Sequence, residues 1–205
     1  MLYRFVFHVF APLIVLPLYR LFNRLEVTGL SFIPSSGPVV VIGNHLSMWD
    51  PVVLYCLIRR EAWYMAKSEI MAVPVLGAIL RRIHVFPVKR DSADRAALRK
   101  GIQVLREGSV LVIYPEGTRS STTELLPFKT GAAFIANRAD APVVPVLFEN
   151  TRKSFPLAFR QHIRVTVGEP VDLSVYQGQK AGSAALAEMT EQFRQSILQL
   201  KSGRT

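Results

Sequence analysis

Cysteine is nearly missing from this chain of 205 residues: Cys56 is the single one. No internal disulfide can form, so the fold must rest on its core, and the composition is compatible with a reducing cytoplasm. Acidic residues are scarce too. Fifteen Asp and Glu stand against 25 Lys and Arg, giving a formal net charge of +10 at pH 7. The chain offers no zinc-ligand set, no RNA-binding signature and no basic helix with interleaved aromatics, so nucleic acid is not the expected partner of this charge. Internal repeats, low-complexity tracts and long linkers are also absent. One domain around one core is the expected organisation.

What the chain has in quantity is apolar and basic. Half the residues are hydrophobic, and Arg outnumbers Lys 18 to 7. The mean hydropathy is +0.25, high for a soluble protein. Together these suggest an anionic membrane surface or anionic substrates. The apolar excess is densest in residues 1–24. Phe5 to Tyr19 is apolar apart from His8, with Arg4, Arg20 and Arg24 around it. That run is shorter than the about 20 residues a spanning helix needs, and Pro12 and Pro17 would kink it. No small-residue cleavage site follows it, as a secretory signal would require. The expectation is a membrane-associating helix that lies on or re-enters the bilayer, its arginines reaching up to phosphates; a buried first helix of the domain is the alternative. The catalytic or binding domain then runs over 25–205.

Within that domain, strand-like and helix-like stretches alternate. Strands are expected at 25–29, 39–42, 62–66, 83–86, 110–114, 143–148 (broken at Pro145) and 163–167. Helices are expected at 52–58, at 70–80 with a bend near Pro74, from Asp91 or Ser92 to Glu107, at 131–138, and from about Ser183. Leu98, Ile102 and Leu105 mark the buried side of the third of these. The alternation predicts an α/β domain with a mixed, mostly parallel, buried sheet flanked by helices. Polar corners follow strand ends at His45, Lys67, Arg90 and Glu116 to Arg119. In a mostly parallel sheet such ends can converge on one edge, where sites form.

The stretch Asn44-His45-Leu46-Ser47-Met48-Trp49-Asp50-Pro51 is the most informative. His45 leaves a buried strand, and Asp50 with Pro51 suits the start of the next helix as N-cap and first position. On one regular helix the two side chains would point about 140° apart. A strand-turn-helix corner can instead fold the carboxylate back onto the imidazole. The carboxylate would then fix the ring tautomer and leave the other nitrogen free to take a proton from an incoming hydroxyl. A helix cap beside an unrelated histidine is the alternative. A second corner, Glu116-Gly117-Thr118-Arg119, places a glycine that permits close approach beside two natural phosphate donors, or else forms a plain surface turn.

Four blocks together resemble the glycerolipid acyltransferase family, of the bacterial 1-acylglycerol-3-phosphate acyltransferase type. They are Asn44-His45-x4-Asp50, Phe86-Pro87-x-x-Arg90, Tyr114-Pro115-Glu116-Gly117-Thr118-Arg119-Ser120 and Ala141-Pro142-Val143-Val144-Pro145-Val146. The resemblance covers about residues 38–150. Lys89 departs from it, standing where relatives often carry an acid, and so does Glu149-Asn150, which replaces small residues.

The resemblance implies attack by the free hydroxyl of a lysophosphatidic acid on the thioester of acyl-CoA or acyl-carrier protein, giving phosphatidic acid. His45 would be the general base and Asp50 its orienting partner. Arg119 and Arg90 would bind phosphate, Glu116 and Gly117 would shape that site, Thr118 would add a hydroxyl, and Lys67 would approach the thioester oxyanion. No metal and no cofactor is implied, and the protein would work at the cytoplasmic face of the cell membrane. The same chemistry on glycerol 3-phosphate or another lysophospholipid stays open. So does a non-catalytic lipid-binding protein on the same fold.

Overall fold

The structure, a computed structural model, describes residues 11–89, 94–153 and 160–203. Arg90, and with it Asp91 and Ser92, lies outside the described residues.

The elements follow the alternation in the sequence. Helix α1 (Ala11–Phe22) leads into β1 (Arg24–Thr28), and β2 (Val39–Gly43) leads into α2 (Asp50–Leu57). Then come β3 (Ala62–Lys67), α3 (Ser68–Ala72), α4 (Leu76–Arg82) and β4 (Val85–Val88). Helix α5 (Arg95–Arg106), β5 (Val110–Ile113), α6 (Gly131–Ala139), β6 (Val143–Glu149), β7 (His162–Val167) and α7 (Ser183–Ser202) complete the order. The strands form one seven-stranded sheet in the order β1-β7-β6-β2-β5-β3-β4. All neighbours are parallel except β6 and β7. The sheet is thus mixed and mostly parallel, as the alternation predicts.

Parallel strands covered on both faces must be apolar at every position rather than at alternate ones. Val39-Val40-Val41-Ile42 and Val110-Leu111-Val112-Ile113 meet that demand and are buried throughout. Odd and even positions feed two separate cores. Val39, Val41, Tyr64, Val110 and Val112 pack with Tyr19 of α1, Val53 and Leu54 of α2 and Met71 of α3. On the opposite face Val40, Ile42, Leu111 and Ile113 pack with Val104 of α5, Ile135 of α6 and Phe193 of α7. Helices therefore flank the sheet on both sides.

Four local expectations need correction. The bent helix over 70–80 is two short helices, because Val75 takes φ 64 just after Pro74 and no helix passes through that pair. The cap of α5 is Asp94, whose carboxylate accepts from the amides of Ala96 and Ala97. The buried stripe of α5 runs along Ala97, Gly101, Val104 and Leu105, with Leu98 and Ile102 only partly covered, because small residues let it sit close to the sheet. Finally, Pro145 does not break β6. Its carbonyl accepts from Gly168 on the β7 side, beyond the Val146–Val167 pair where the β6–β7 ladder ends. The missing N–H faces that same side, so no ladder bond to β2 is lost.

Candidate active site

Strands β2, β3, β4, β5 and β6 run parallel, so their carboxyl ends lie along one sheet edge. His45 follows β2 there, and Glu116 follows β5. Lys67 closes β3 on the same edge.

Three turn-backs build the His45 corner. The first is Asn44, which continues the β2–β6 pairing with its side chain: Nδ2 donates to the Phe148 carbonyl (2.9 Å) and Oδ1 accepts from the Phe148 amide (2.7 Å). The second is Asp50, whose Oδ2 accepts from the amides of Leu46 and Ser47, both at 2.7 Å, and faces Nδ1 of His45 at 3.1 Å. Asp50 is fully buried. Here the expectation of an N-cap is wrong. The helix begins at Asp50 itself, and its carboxylate bonds to the loop behind it rather than to helix amides ahead. The third is Glu116, whose Oε1 accepts from the His45 amide (2.8 Å) and Oε2 from the Leu126 amide (3.1 Å). Burial pushes the Glu116 carboxyl above the ordinary glutamate range, against the pull of those two amides. The His45 carbonyl in turn accepts from the Ser120 amide at 2.8 Å.

The imidazole is therefore fixed from several directions. Its backbone is held at both N–H and C=O, and its Nδ1 faces a carboxylate. Its ring stacks on Tyr114 with centroids 4.4 Å apart. With Nδ1–H donating to Asp50, Nε2 carries the lone pair and can accept a proton.

The second corner is a braced loop with an open tip. Gly117 takes φ 69, a conformation glycine holds without strain, and an added Cβ would lie 3.0 Å from the Lys129 side chain. Ser120 is buried, and its Oγ bonds to the carbonyls of Thr122 and Glu124. Between these fixed points Thr118 and Arg119 stand exposed to solvent.

Of the sequence-predicted residues, the structure brings together His45, Asp50, Glu116 and the Gly117–Arg119 tip. Lys67 stands apart. Its strand is two strands from β2, roughly 10 Å away, and its ammonium pairs with Glu69 at 3.0 Å. Arg90 lies outside the described residues. Sequence reasoning missed the bracing duties of Asn44, Tyr114 and Ser120. Each sits inside a recognised block, and their signal was only that position. Among the described residues no three His, Cys, Asp or Glu side chains stand close enough to hold a metal ion.

The site can take a proton from a bound hydroxyl at Nε2 and can offer Thr118 and Arg119 to an anion. A family model described as Acyltransferase matches residues 24–149. The 1-acyl-sn-glycerol-3-phosphate acyltransferase of Bacillus subtilis (strain 168) is 30% identical over 171 residues, covering 83% of this chain and 84% of that protein. The beta form from Homo sapiens is 33% identical over 141 residues, covering 64% of this chain and 51% of that protein. The chain thus spans most of the Bacillus relative and about half of the human one. The crystal structure of the 1-acyl-sn-glycerophosphate acyltransferase from Thermotoga maritima shares the fold, with a TM-score of 0.71 at 23% identity, covering 95% of this chain and 80% of that one.

Proposed function

The chain belongs to the acyltransferase family, and from that premise we propose that it acylates the free hydroxyl of 1-acylglycerol 3-phosphate to give phosphatidic acid. The acyl donor is a thioester, acyl-CoA or acyl-carrier protein. The observation that carries the reading is the His45–Asp50 pair: a fully buried carboxylate, held by two amides, aimed at Nδ1 of an imidazole.

The acceptor hydroxyl gives its proton to Nε2 of His45 as its oxygen attacks the thioester carbonyl. Asp50 stabilises the imidazolium that forms. The new C–O bond makes the ester, the C–S bond breaks, and the proton passes to the departing thiolate. Glu116 acts as a brace: both its oxygens are taken by backbone amides. Arg119 and Thr118, exposed at the loop tip beside this corner, bind the acceptor's phosphate, and Gly117 gives their turn its shape. Arg90 is proposed as a second phosphate ligand on the resemblance alone. Lys67, paired with Glu69, is a weaker candidate for the oxyanion than the sequence suggested. The working site is proposed to be the cytoplasmic face of the membrane, where both product and acceptor stay in the bilayer.

The test is a purified full chain in mixed micelles, offered labelled acceptors with acyl-CoA and with acyl-carrier protein. Arg119→Ala should lower kcat/KM for lysophosphatidic acid about 10–100-fold, the loss of one charged hydrogen bond, and Arg119→Lys should recover part of it. The control acceptor is a lysophospholipid without a phosphomonoester. Equal slowing on that control would remove phosphate reading from Arg119 and favour another acceptor.

A further inference from the structure

Among the described residues eleven large hydrophobic side chains stand exposed. Five of them, Ile70, Val73, Val75, Leu76 and Ile79, fall in the hairpin made by α3 and α4. The underside of that hairpin is satisfied: Met71 is buried and Leu80 packs against the same core as Tyr19 of α1. Its outer side is equally apolar, and no described residue covers it. A helix that is hydrophobic all round belongs in a core or in lipid, and a contiguous patch of this kind marks an interaction surface.

The hairpin is built to hold its shape. Gly77 lets α4 approach α3 so closely that an added Cβ would lie 2.1 Å from the Met71 carbonyl oxygen. Arg81 Nη1 donates to that same carbonyl at 3.1 Å. At the apex Val75 is 74% exposed and takes φ 64, a conformation a β-branched residue avoids. The charge pattern around this patch is one-sided. Within residues 67–82, Lys67, Arg81 and Arg82 stand against one acid, Glu69, which is already paired with Lys67. The same face of the sheet carries α1 with its exposed Leu13, Ile14 and Leu21. The opposite face, under α5, α6 and α7, carries only Val175 from the eleven, on a 3-10 turn whose neighbours Leu173 and Tyr176 pack into the second core.

We propose that the α3–α4 hairpin is a second membrane-inserting element, its Val73–Leu76 apex entering the acyl boundary of an anionic bilayer while Arg81 and Arg82 meet lipid phosphates. Basic ends on an apolar wedge are the complement of an anionic headgroup layer. Because α3 starts directly after the carboxyl end of β3, the wedge is rooted on the sheet edge that bears His45. Docking it sets that edge against the leaflet in which a lysolipid lies. The claim rests on the acyltransferase reading only for the source of that lysolipid; the surface stands without it.

The experiment labels the full chain with a polarity-sensitive fluorophore at Val75→Cys and, separately, at Val175→Cys. The two positions are 74% and 77% exposed and lie on opposite faces. Cys56 does not compete, because it is buried and its thiol is pushed up to about 12. Vesicles of equal parts phosphatidylglycerol and phosphatidylcholine are then added. The Val75 label should shift to the blue, and the Val175 label should not. Val75→Asp should weaken vesicle binding about tenfold or more. It should slow turnover of vesicle-embedded lysophosphatidic acid but leave turnover of a monomeric short-chain acceptor unchanged.

A Val75 label that stays aqueous while the protein pellets with vesicles would overturn the proposal, leaving α1 as the anchor. A label already dry without lipid, with a dimer by light scattering, would assign the face to a second copy and overturn it too. Absence of turnover on every acceptor would sink the acyltransferase reading, and the two labels would still report on docking.

Discussion

At the residue scale the site depends on one carboxylate oxygen. Oδ2 of Asp50 accepts both loop amides and faces the imidazole, while Oδ1 is buried with no partner among the described residues. An asparagine can put its carbonyl where Oδ2 sits and its NH2 where Oδ1 sits, keeping the corner but losing the charge. Asp50→Asn should therefore cost activity more than stability, lowering kcat about 10²-fold or more with a small change in Tm. Asp50→Ala should lose both. His45→Ala should lower kcat about 10²–10⁴-fold and leave thermal unfolding nearly unchanged. An active Asn variant would show that Asp50 serves the loop alone.

Glu116 gives a pH signature. Its carboxyl sits above the ordinary glutamate range because it is buried. The folded state therefore holds that proton more tightly than the unfolded chain. The stability this group contributes is fully present below the ordinary value and is lost as pH rises through the raised one. Glu116→Gln has no such proton, so its stability should fall less over that window, as chemical denaturation at a series of pH values would show. Parallel curves would mean that Glu116 titrates no differently on folding. The residue types at this site were legible in the sequence because strand ends and turn residues bracket them. Their duties were not. Whether a glutamate touches substrate or backbone amides depends on which way the chain returns, and no spacing encodes the meeting of Glu116 with His45 across 71 residues.

At the element scale, junctions decide more than interiors. Asn44 replaces one rung of the β2–β6 ladder with a side chain. Asn44→Ala would leave the buried Phe148 amide and carbonyl unpaired, at about 1–3 kcal/mol each. We expect a lower denaturation midpoint together with reduced turnover, since the same residue fixes the start of the His45 corner. An unchanged midpoint would mean that water replaces the clamp. The strand interiors were readable from their unbroken valine and isoleucine runs. The edges were less so. Asp94 caps α5, where Asp91 or Ser92 was expected, because three candidate caps precede the helix and only tertiary position selects among them. The stripe of α5 follows Gly101, which nestles against Ile135 and Leu111, rather than its largest side chains.

At the scale of the whole molecule, apolar surface is distributed unevenly. Helix α1 buries Tyr19 in the core and leaves Leu13, Ile14 and Leu21 outside, so it is a domain helix and an exposed apolar face at once. No described helix is long and apolar enough to cross a membrane. Replacing Leu13, Ile14 and Leu21 together with glutamine should leave the fold intact and lower the membrane-bound fraction in sedimentation with vesicles. High salt alone should release the unaltered chain poorly, since apolar insertion is not screened. Clean release by salt would show that charge alone holds it there.

The order of strands carries one further consequence, for how the protein is made. Among the described strands β1 pairs only with β7, and its first partner, His162, comes 138 residues after Arg24. A chain leaving the ribosome presents β1 long before β7 exists, and contacts this far apart in sequence form late. Strands β2, β3, β4 and β5 can close among themselves from residues 39–113 alone. During synthesis the leading strand therefore waits, its edge unpaired, while the middle of the sheet assembles, and the last quarter of the chain returns to fasten the first.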